Sequence, residues 1–112
     1  MFSVIIPIYN EADSIEDLAH EIFISLKNYE NYEVIFVNDF SNDASLQILT
    51  KLQNKFKFKI INNLKNKGQS FSIHIGVKNS KYNTIITLDG DGQNNPKDIP
   101  FLINLYKSDT SL

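Results

Sequence analysis

Two carboxylates stand one residue apart in Leu88-Asp89-Gly90-Asp91-Gly92-Gln93, where an apolar run gives way to glycine. Side chains two positions apart point to one face of a strand. Gly90 and Gly92 let the backbone turn sharply and approach a ligand closely, so the two acids can converge on one point. A few ångströms apart, their charges repel by about 1 kcal/mol in water and about 4 kcal/mol at an intermediate effective dielectric. A cation between them relieves that repulsion. Mg²⁺ and Mn²⁺ prefer oxygen ligands, and Mg²⁺ is commonly held by one or two carboxylates plus substrate phosphates. The chemistry this suggests is metal-assisted reaction at a phosphate ester or phosphate leaving group. Asp and Gly are also ordinary turn residues, and the tetrad reads equally as a solvated turn. A calcium loop of the EF-hand kind is excluded, because Asn94 stands where its glycine belongs and Pro100 where its bidentate glutamate belongs.

The rest of the composition narrows the field. The chain has 112 residues, 42% hydrophobic and 21% charged, with no cysteine and a formal net charge of −2. That length suits one small domain with one core, and the composition is that of a globular chain. A slightly acidic chain without a local basic cluster offers no footprint for nucleic acid. An anionic substrate would need a cation or backbone amides to hold it. Without cysteine there is no disulfide framework, thiolate nucleophile or zinc–thiolate site. The apolar run at residues 4–8 is too short to span a membrane and lacks a basic leader. A soluble, cytoplasmic chain is the expectation.

The elements that must position the acids follow from periodicity. Residues 3–8, with Pro7 near the end, and 33–37 read as buried strands. Residues 58–61 read as a shorter strand, flanked by Lys57 and Lys59 as a peripheral strand would be. Residues 84–88 form a fourth. Asp13 with Glu16 resembles a capping box for a helix whose inner face is Ile15, Leu18, Ala19, Ile22 and Leu26. A second helix carries Leu46, Leu49, Leu52 and Phe56 on one side, with Asp43 or Ser45 as its cap. A third, 69–79, turns Phe71, Ile75 and Val77 inward, and Gly76 allows close packing on the sheet. Pro96 and Pro100 bracket the start of a last helix, with Leu102, Ile103 and Tyr106 inward. His20 reads as a surface residue and His74 as structural.

Strands alternating with helices imply βαβ units, right-handed crossovers and a mostly parallel sheet with flanking helices. Ligands bind outside the carboxyl ends of strands in such sheets. Residues 9–11, 38–43 and 89–93 all follow strands, so three polar loops should share one edge. Neither GxGxxG after the first strand, nor GxxxxGK[ST], nor a GxSxG elbow is present. A nucleotide or phosphorylated ligand held by scattered acids and a cation remains.

Four motifs carry a resemblance. Ser3-Val4-Ile5-Ile6-Pro7-Ile8-Tyr9-Asn10-Glu11, Val37-Asn38-Asp39-Phe40-Ser41-Asn42-Asp43, Asn66-Lys67-Gly68 and Asp89-Gly90-Asp91-Gly92-Gln93-Asn94-Asn95-Pro96 occur in order over nearly the whole chain. The sequence thereby resembles family 2 glycosyltransferases of GT-A fold, within them the dolichyl- or polyprenyl-phosphate mannosyl- and glucosyltransferases. The resemblance implies that Pro7, Tyr9, Glu11, Val37 and Asp39 line the pocket for base and ribose. It further implies that Asp89, Asp91 and Gln93 surround Mg²⁺ or Mn²⁺ and the donor's diphosphate, with Gly90 beside them. Asp39 can accept a hydrogen bond from a base N–H. Lys67 reads as a phosphate contact or a solvated loop lysine. The implied partners are a nucleotide-diphosphate sugar, GDP-mannose or a UDP-sugar, and a lipid-phosphate or glycan acceptor, with membrane association through segments absent from this chain.

The departures from the family pattern are specific. Asn38 replaces an aspartate, and Phe40 replaces a glycine and disfavours positive φ there, so altered loop geometry is expected. Residues 70–76 lack the small-residue and arginine pattern of the family, which puts diphosphate contacts from that helix in doubt. The family's domain continues past the acidic turn, and no residue from 96 to 112 stands out as the general base. The chain is therefore expected to be the donor-binding, N-terminal part of a transferase. The alternatives are a non-catalytic nucleotide-binding module, a truncated inactive fragment, or a structural fragment with a solvated acidic turn.

Overall fold

The computed structural model describes residues 1–88 and the backbone at 106–107. Along the chain run β1 (Phe2–Ile8), α1 (Ile15–Leu26), β2 (Tyr32–Asn38), α2 (Ser45–Leu52), β3 (Lys59–Asn62), α3 (Gln69–Lys78), β4 (Thr84–Thr87) and β5 (Tyr106–Lys107). The sheet order is β3-β2-β1-β4-β5. The first four strands are parallel and β5 is antiparallel to β4. The four parallel strands expected from the apolar runs are all present. Tyr106, expected on the inner face of a last helix, instead lies in β5, whose pairing satisfies backbone groups that would otherwise end the sheet at β4. The expectations placed at 89–105 lie outside the described residues.

Side-chain alternation along β1 divides the core in two. Val4, Ile6 and Ile8 pack with Val34, Phe36, Ile86 and the inner faces of α1 and α2. On the other face Ile5 packs with Ile35, Val37 and Ile85, with Ile61 and Val77 against them. Ile15, Leu18, Ala19, Ile22 and Leu26 are all buried, as the helical spacing expects. Each fully buried aliphatic side chain contributes roughly 1.5–3 kcal/mol by removal from water. Contiguous apolar strands are what burial on both faces demands.

The helices depart from expectation at their ends and on one face. Asp13 does not cap α1; Ser14 is its N-cap, and its hydroxyl makes no capping bond to the helix but donates back to the Glu11 carbonyl at 3.4 Å. The Glu11 carbonyl instead accepts the N–H groups of Ser14 and Ile15 at 3.0 and 3.1 Å, and this turn leads the chain into the helix. In α3 the inner positions are Ser72 and Gly76, and Phe71 is exposed. A Cβ at Gly76 would lie 2.5 Å from Ile5 Cγ2. The sheet is so close that the face one turn apart admits only small residues, and Phe71 is rotated out. His74 is exposed, while the ring of His20 sits edge-on to Phe56 with centroids 5.1 Å apart.

At the amino-terminal rim Glu33 fastens three elements. Its carboxylate accepts the Ser3 hydroxyl at 2.7 Å and the Lys81 backbone N–H, and pairs with Lys59 Nζ at 3.1 Å. Burial raises its pKa, but these partners outweigh burial and hold it below the ordinary glutamate range. Among the described residues no helix is long and apolar enough to cross a membrane.

Candidate functional site

Register places the site at the carboxyl ends of the strands. Ile8 pairs with Asn38 and Asn38 with Asn62, so β1, β2 and β3 end level. β4 runs parallel to β1, and the Leu88 N–H reaches the Ile5 carbonyl at 3.1 Å. The chain thus arrives at Asp89 from a strand that ends on the same rim. Two of the three loops expected to share an edge are described, and both are there.

Those two loops are knitted together. The Asn10 N–H donates to Ser41 Oγ at 3.0 Å, and Asn10 Oδ1 accepts the Asn42 N–H at 2.9 Å. The Glu11 N–H donates to Ser45 Oγ at 2.9 Å, and the Ala12 N–H to Asp43 Oδ2 at 3.2 Å. Asn10 has φ 53°, a left-handed conformation that Asn tolerates better than most residues. Asp43 Oδ1 also accepts the Ser45 N–H at 2.9 Å. Asp43 therefore works as an Asx turn at the start of α2, where it was expected as a cap, and as a brace to the β1 loop. Desolvation raises its pKa, and the hydrogen bonds from Ser45 and Ala12 bring it below the ordinary aspartate value. A depression of about 590 Å³ opens beside it, lined by Ser41, Asn42, Asp43, Leu46, Gln47 and Thr50.

Asp39 ties β2 to the loop between β3 and α3. It is 4% exposed, and its N–H donates to the Ile8 carbonyl at 2.8 Å. Oδ1 accepts Asn63 Nδ2 at 2.8 Å and the Lys67 N–H at 2.7 Å; Oδ2 accepts the Gly68 N–H at 2.8 Å. Asn63 Nδ2 also reaches Ser72 Oγ at 3.0 Å, which donates to the Gly68 carbonyl at 3.0 Å. Asn38 is buried as well: its Nδ2 donates to Asn62 Oδ1 at 3.1 Å and its Oδ1 accepts the Ser41 N–H at 3.2 Å. An aspartate here would lose the donor to Asn62.

The other sequence-derived residues divide. Tyr9 is exposed on the rim, and Pro7 is half-buried opposite Val37 in register. Val37 is fully buried in the core cluster with Ile5 and Ile35, on the face covered by α3. Phe40 has φ 60°, so the loop keeps a glycine-type conformation with a phenylalanine in it, contrary to the expectation that Phe40 would alter it. Left-handed backbone costs a residue with a Cβ roughly 1–2 kcal/mol, and the three Asp39 bonds together with the Asn38–Ser41 bond hold it in place. Asn10, Ser45 and Asn63 were missed as site-building residues. Asn10 lies inside the Tyr-Asn-Glu motif, but nothing in sequence pairs it with Ser41.

Among the described residues no group of three or more His, Cys, Asp or Glu side chains could hold a metal. Asp89, Gly90, Asp91 and Gln93 lie outside those residues. Their donor atoms are all carboxylate or amide oxygens, a set that suits Mg²⁺ or Mn²⁺.

Residues 3–111 match the family model described as Glycosyl transferase family 2. An undecaprenyl-phosphate 4-deoxy-4-formamido-L-arabinose transferase from Pseudomonas fluorescens is 38% identical over 106 residues, covering 90% of this chain and 31% of its own length. A dolichol-phosphate mannosyltransferase from Pyrococcus furiosus is 34% identical over 110 residues, covering 98% of this chain and 31% of its own length. The chain thus spans about a third of these curated relatives. Among solved structures, TarS 1–349 of S. aureus in complex with UDP-GlcNAc superposes with a TM-score of 0.71 at 29% identity, over 80% of this chain and 26% of that one. The mannosyltransferase PcManGT of Pyrobaculum calidifontis, in complex with GDP-Man and Mn²⁺, is alike in fold, with a TM-score of 0.76 at 20% identity, over 87% of this chain and 29% of its own.

Proposed function

Since the chain belongs to glycosyl transferase family 2 and has the GT-A architecture, we propose that it forms the donor-binding part of a metal-dependent, inverting glycosyltransferase. The donor is a nucleotide-diphosphate sugar, GDP-mannose or a UDP-sugar. The acceptor is a polyprenyl or dolichyl phosphate or a glycan, a reading supported by the lipid-phosphate transferases among the relatives. The observation that carries the proposal is the hydrogen-bonded surface made by the loops after β1 and β2 on the rim where β4 ends.

Strand order gives the site a direction. β1 lies between β2 and β4, and strand spacing of about 4.8 Å separates them by roughly 10 Å. The nucleoside lies over β1 and β2, beside Tyr9, Glu11 and Asp39, and the diphosphate lies toward Asp89 and Asp91. Pro7 forms the floor beneath it, and Val37, wholly buried on the α3 face, supports the end of β2 from within. Asp89, Asp91 and Gln93 hold the divalent ion, with Gly90 leaving room for the backbone to approach. When bound, that ion stabilises the negative charge that grows on the departing diphosphate. The acceptor oxygen attacks the anomeric carbon from the opposite side, and a phosphate acceptor is already anionic and needs little help from a base.

Calorimetric titration with UDP-GlcNAc and GDP-mannose, each with and without Mn²⁺, tests the reading. Binding of one donor is expected to be strengthened by Mn²⁺ and weakened at least tenfold by Asp91→Ala. Cation-independent binding that Asp91→Ala leaves untouched would count against it.

A further inference from the structure

The carboxylate of Asp39 is spent largely inside the protein. Three donors from residues 63, 67 and 68 converge on its two oxygens within 2.8 Å, and a fourth contact runs from Asn66 Nδ2 to its carbonyl at 3.5 Å. Apart from the Gly68 carbonyl, which accepts the Ser72 N–H at 3.1 Å and hydroxyl at 3.0 Å, the segment they hold lies at the surface. Leu64, Lys65, Asn66 and Lys67 are exposed, and Gly68 has φ 95°, a conformation available essentially to glycine. Lys67 Nζ lies 5.3 Å from the centre of the exposed Phe71 ring and has no carboxylate partner among the described residues.

We infer that Asp39 is a positioning residue: it acts on the donor through segment 66–68, which it holds as the wall of the nucleoside end of the site. This rests on the donor-site reading above and deepens it. A carboxylate with three internal hydrogen bonds has about one lone-pair direction left, room for a single base N–H. Its stronger effect is on where Asn66, Lys67 and Gly68 stand. The two Asp39 side-chain oxygens accept from a surround that consists only of donors. An asparagine of the same shape would turn an NH₂ against an N–H, whichever way it is flipped.

The test uses the whole chain, with UDP and GDP plus Mn²⁺ as probes, and amide hydrogen exchange as a second readout that needs no nucleotide. In Asp39→Asn the Lys67 and Gly68 amides are expected to lose at least tenfold protection while Ile35 in β2 keeps its own, which separates local release from global unfolding. Asn63→Ala, which removes one of the three bonds and no group of the base pocket, is expected to weaken nucleotide binding in the same direction. The double variant is expected to bind no more weakly than Asp39→Asn alone, because both changes release the same segment.

Four results overturn the inference. Asp39→Asn could change the preference between UDP and GDP while Lys67 and Gly68 stay protected. Asn63→Ala could leave affinity unaltered. The two effects could add. If the unaltered chain binds neither nucleotide, the donor-site reading fails and the positioning role falls with it; if it binds and any of the first three results appears, the positioning role alone fails.

Discussion

Asp39 and Gly68, 29 residues apart in sequence, are joined by a hydrogen bond of 2.8 Å from the Gly68 N–H to Asp39 Oδ2. It fixes the start of α3 against the end of β2, and with it segment 66–68 at the rim. The conformation of Gly68 is part of that joint. A Cβ there would meet nothing within 4 Å, so substitution cost comes from the backbone alone. Gly68→Ala is expected to destabilise the fold by roughly 1–3 kcal/mol, read as a lowered urea midpoint with unchanged m-value.

Phe40 gives the opposite experiment. It holds φ 60° while 54% exposed, so the strain is not repaid by burial in the core. Phe40→Asn and Phe40→Gly are expected to stabilise by about 0.5–1 kcal/mol, the relief being partly offset for Gly by its looser unfolded chain. Phe40→Val is expected to destabilise, since a β-branched residue fits left-handed backbone worst. Thermal denaturation of the three variants checks the order.

Gly76 reports how tightly α3 lies on the sheet. Overpacking costs typically 1–3 kcal/mol, against the ~1 kcal/mol that Ala gains in a helix. Gly76→Ala is therefore expected to lose about 1 kcal/mol by urea unfolding and Gly76→Val more. Ile5→Ala should remove most of the added penalty, because Ile5 Cγ2 is the atom 2.5 Å away.

Two carboxylates set the acid limb of stability. Glu33 and Asp43 have folded pKa values below their ordinary ones, so in acid the unfolded chain binds more protons than the folded one. Their contribution is complete above the unfolded values of about 4 and is lost as pH falls through the lower folded values. Unfolding free energy should be level from pH 7 to 5 and fall below about 4. Glu33→Gln and Asp43→Asn should each start less stable and show a shallower fall.

Much of this architecture is legible in sequence because burial on both faces demands apolar runs. Residues 3–8, 33–37 and 84–88 could hardly serve elsewhere, and Gly76 announces the close approach of α3. The rim is legible too, since polar loops after parallel strands must meet there. What periodicity misses is pairing between loops. Asn10 with Ser41, and Asp39 with Gly68, are joined by single hydrogen bonds across about 30 residues, and no spacing rule connects them. Phe71 misleads because an aromatic at helical spacing normally faces inward, whereas Gly76 brings the sheet too near to admit it. Tyr106 misleads because apolar residues at 102, 103 and 106 fit a helix as well as a strand, and only the unpaired side of β4 decides.

The central claim is that one nucleotide-sugar lies across this rim, its base toward segment 66–68 and its diphosphate beyond β4. Paramagnetic broadening of backbone amides by substoichiometric Mn²⁺, with UDP-GlcNAc or GDP-mannose present, reads that direction most directly. Broadening strongest at Leu88, weaker at Asp39 and weakest at Gly68, with nucleotide-dependent shifts at Asp39 and Gly68, is the expected result. Broadening centred on Glu33, Lys59 and Lys81 at the opposite rim, or none that depends on the nucleotide, would contradict it.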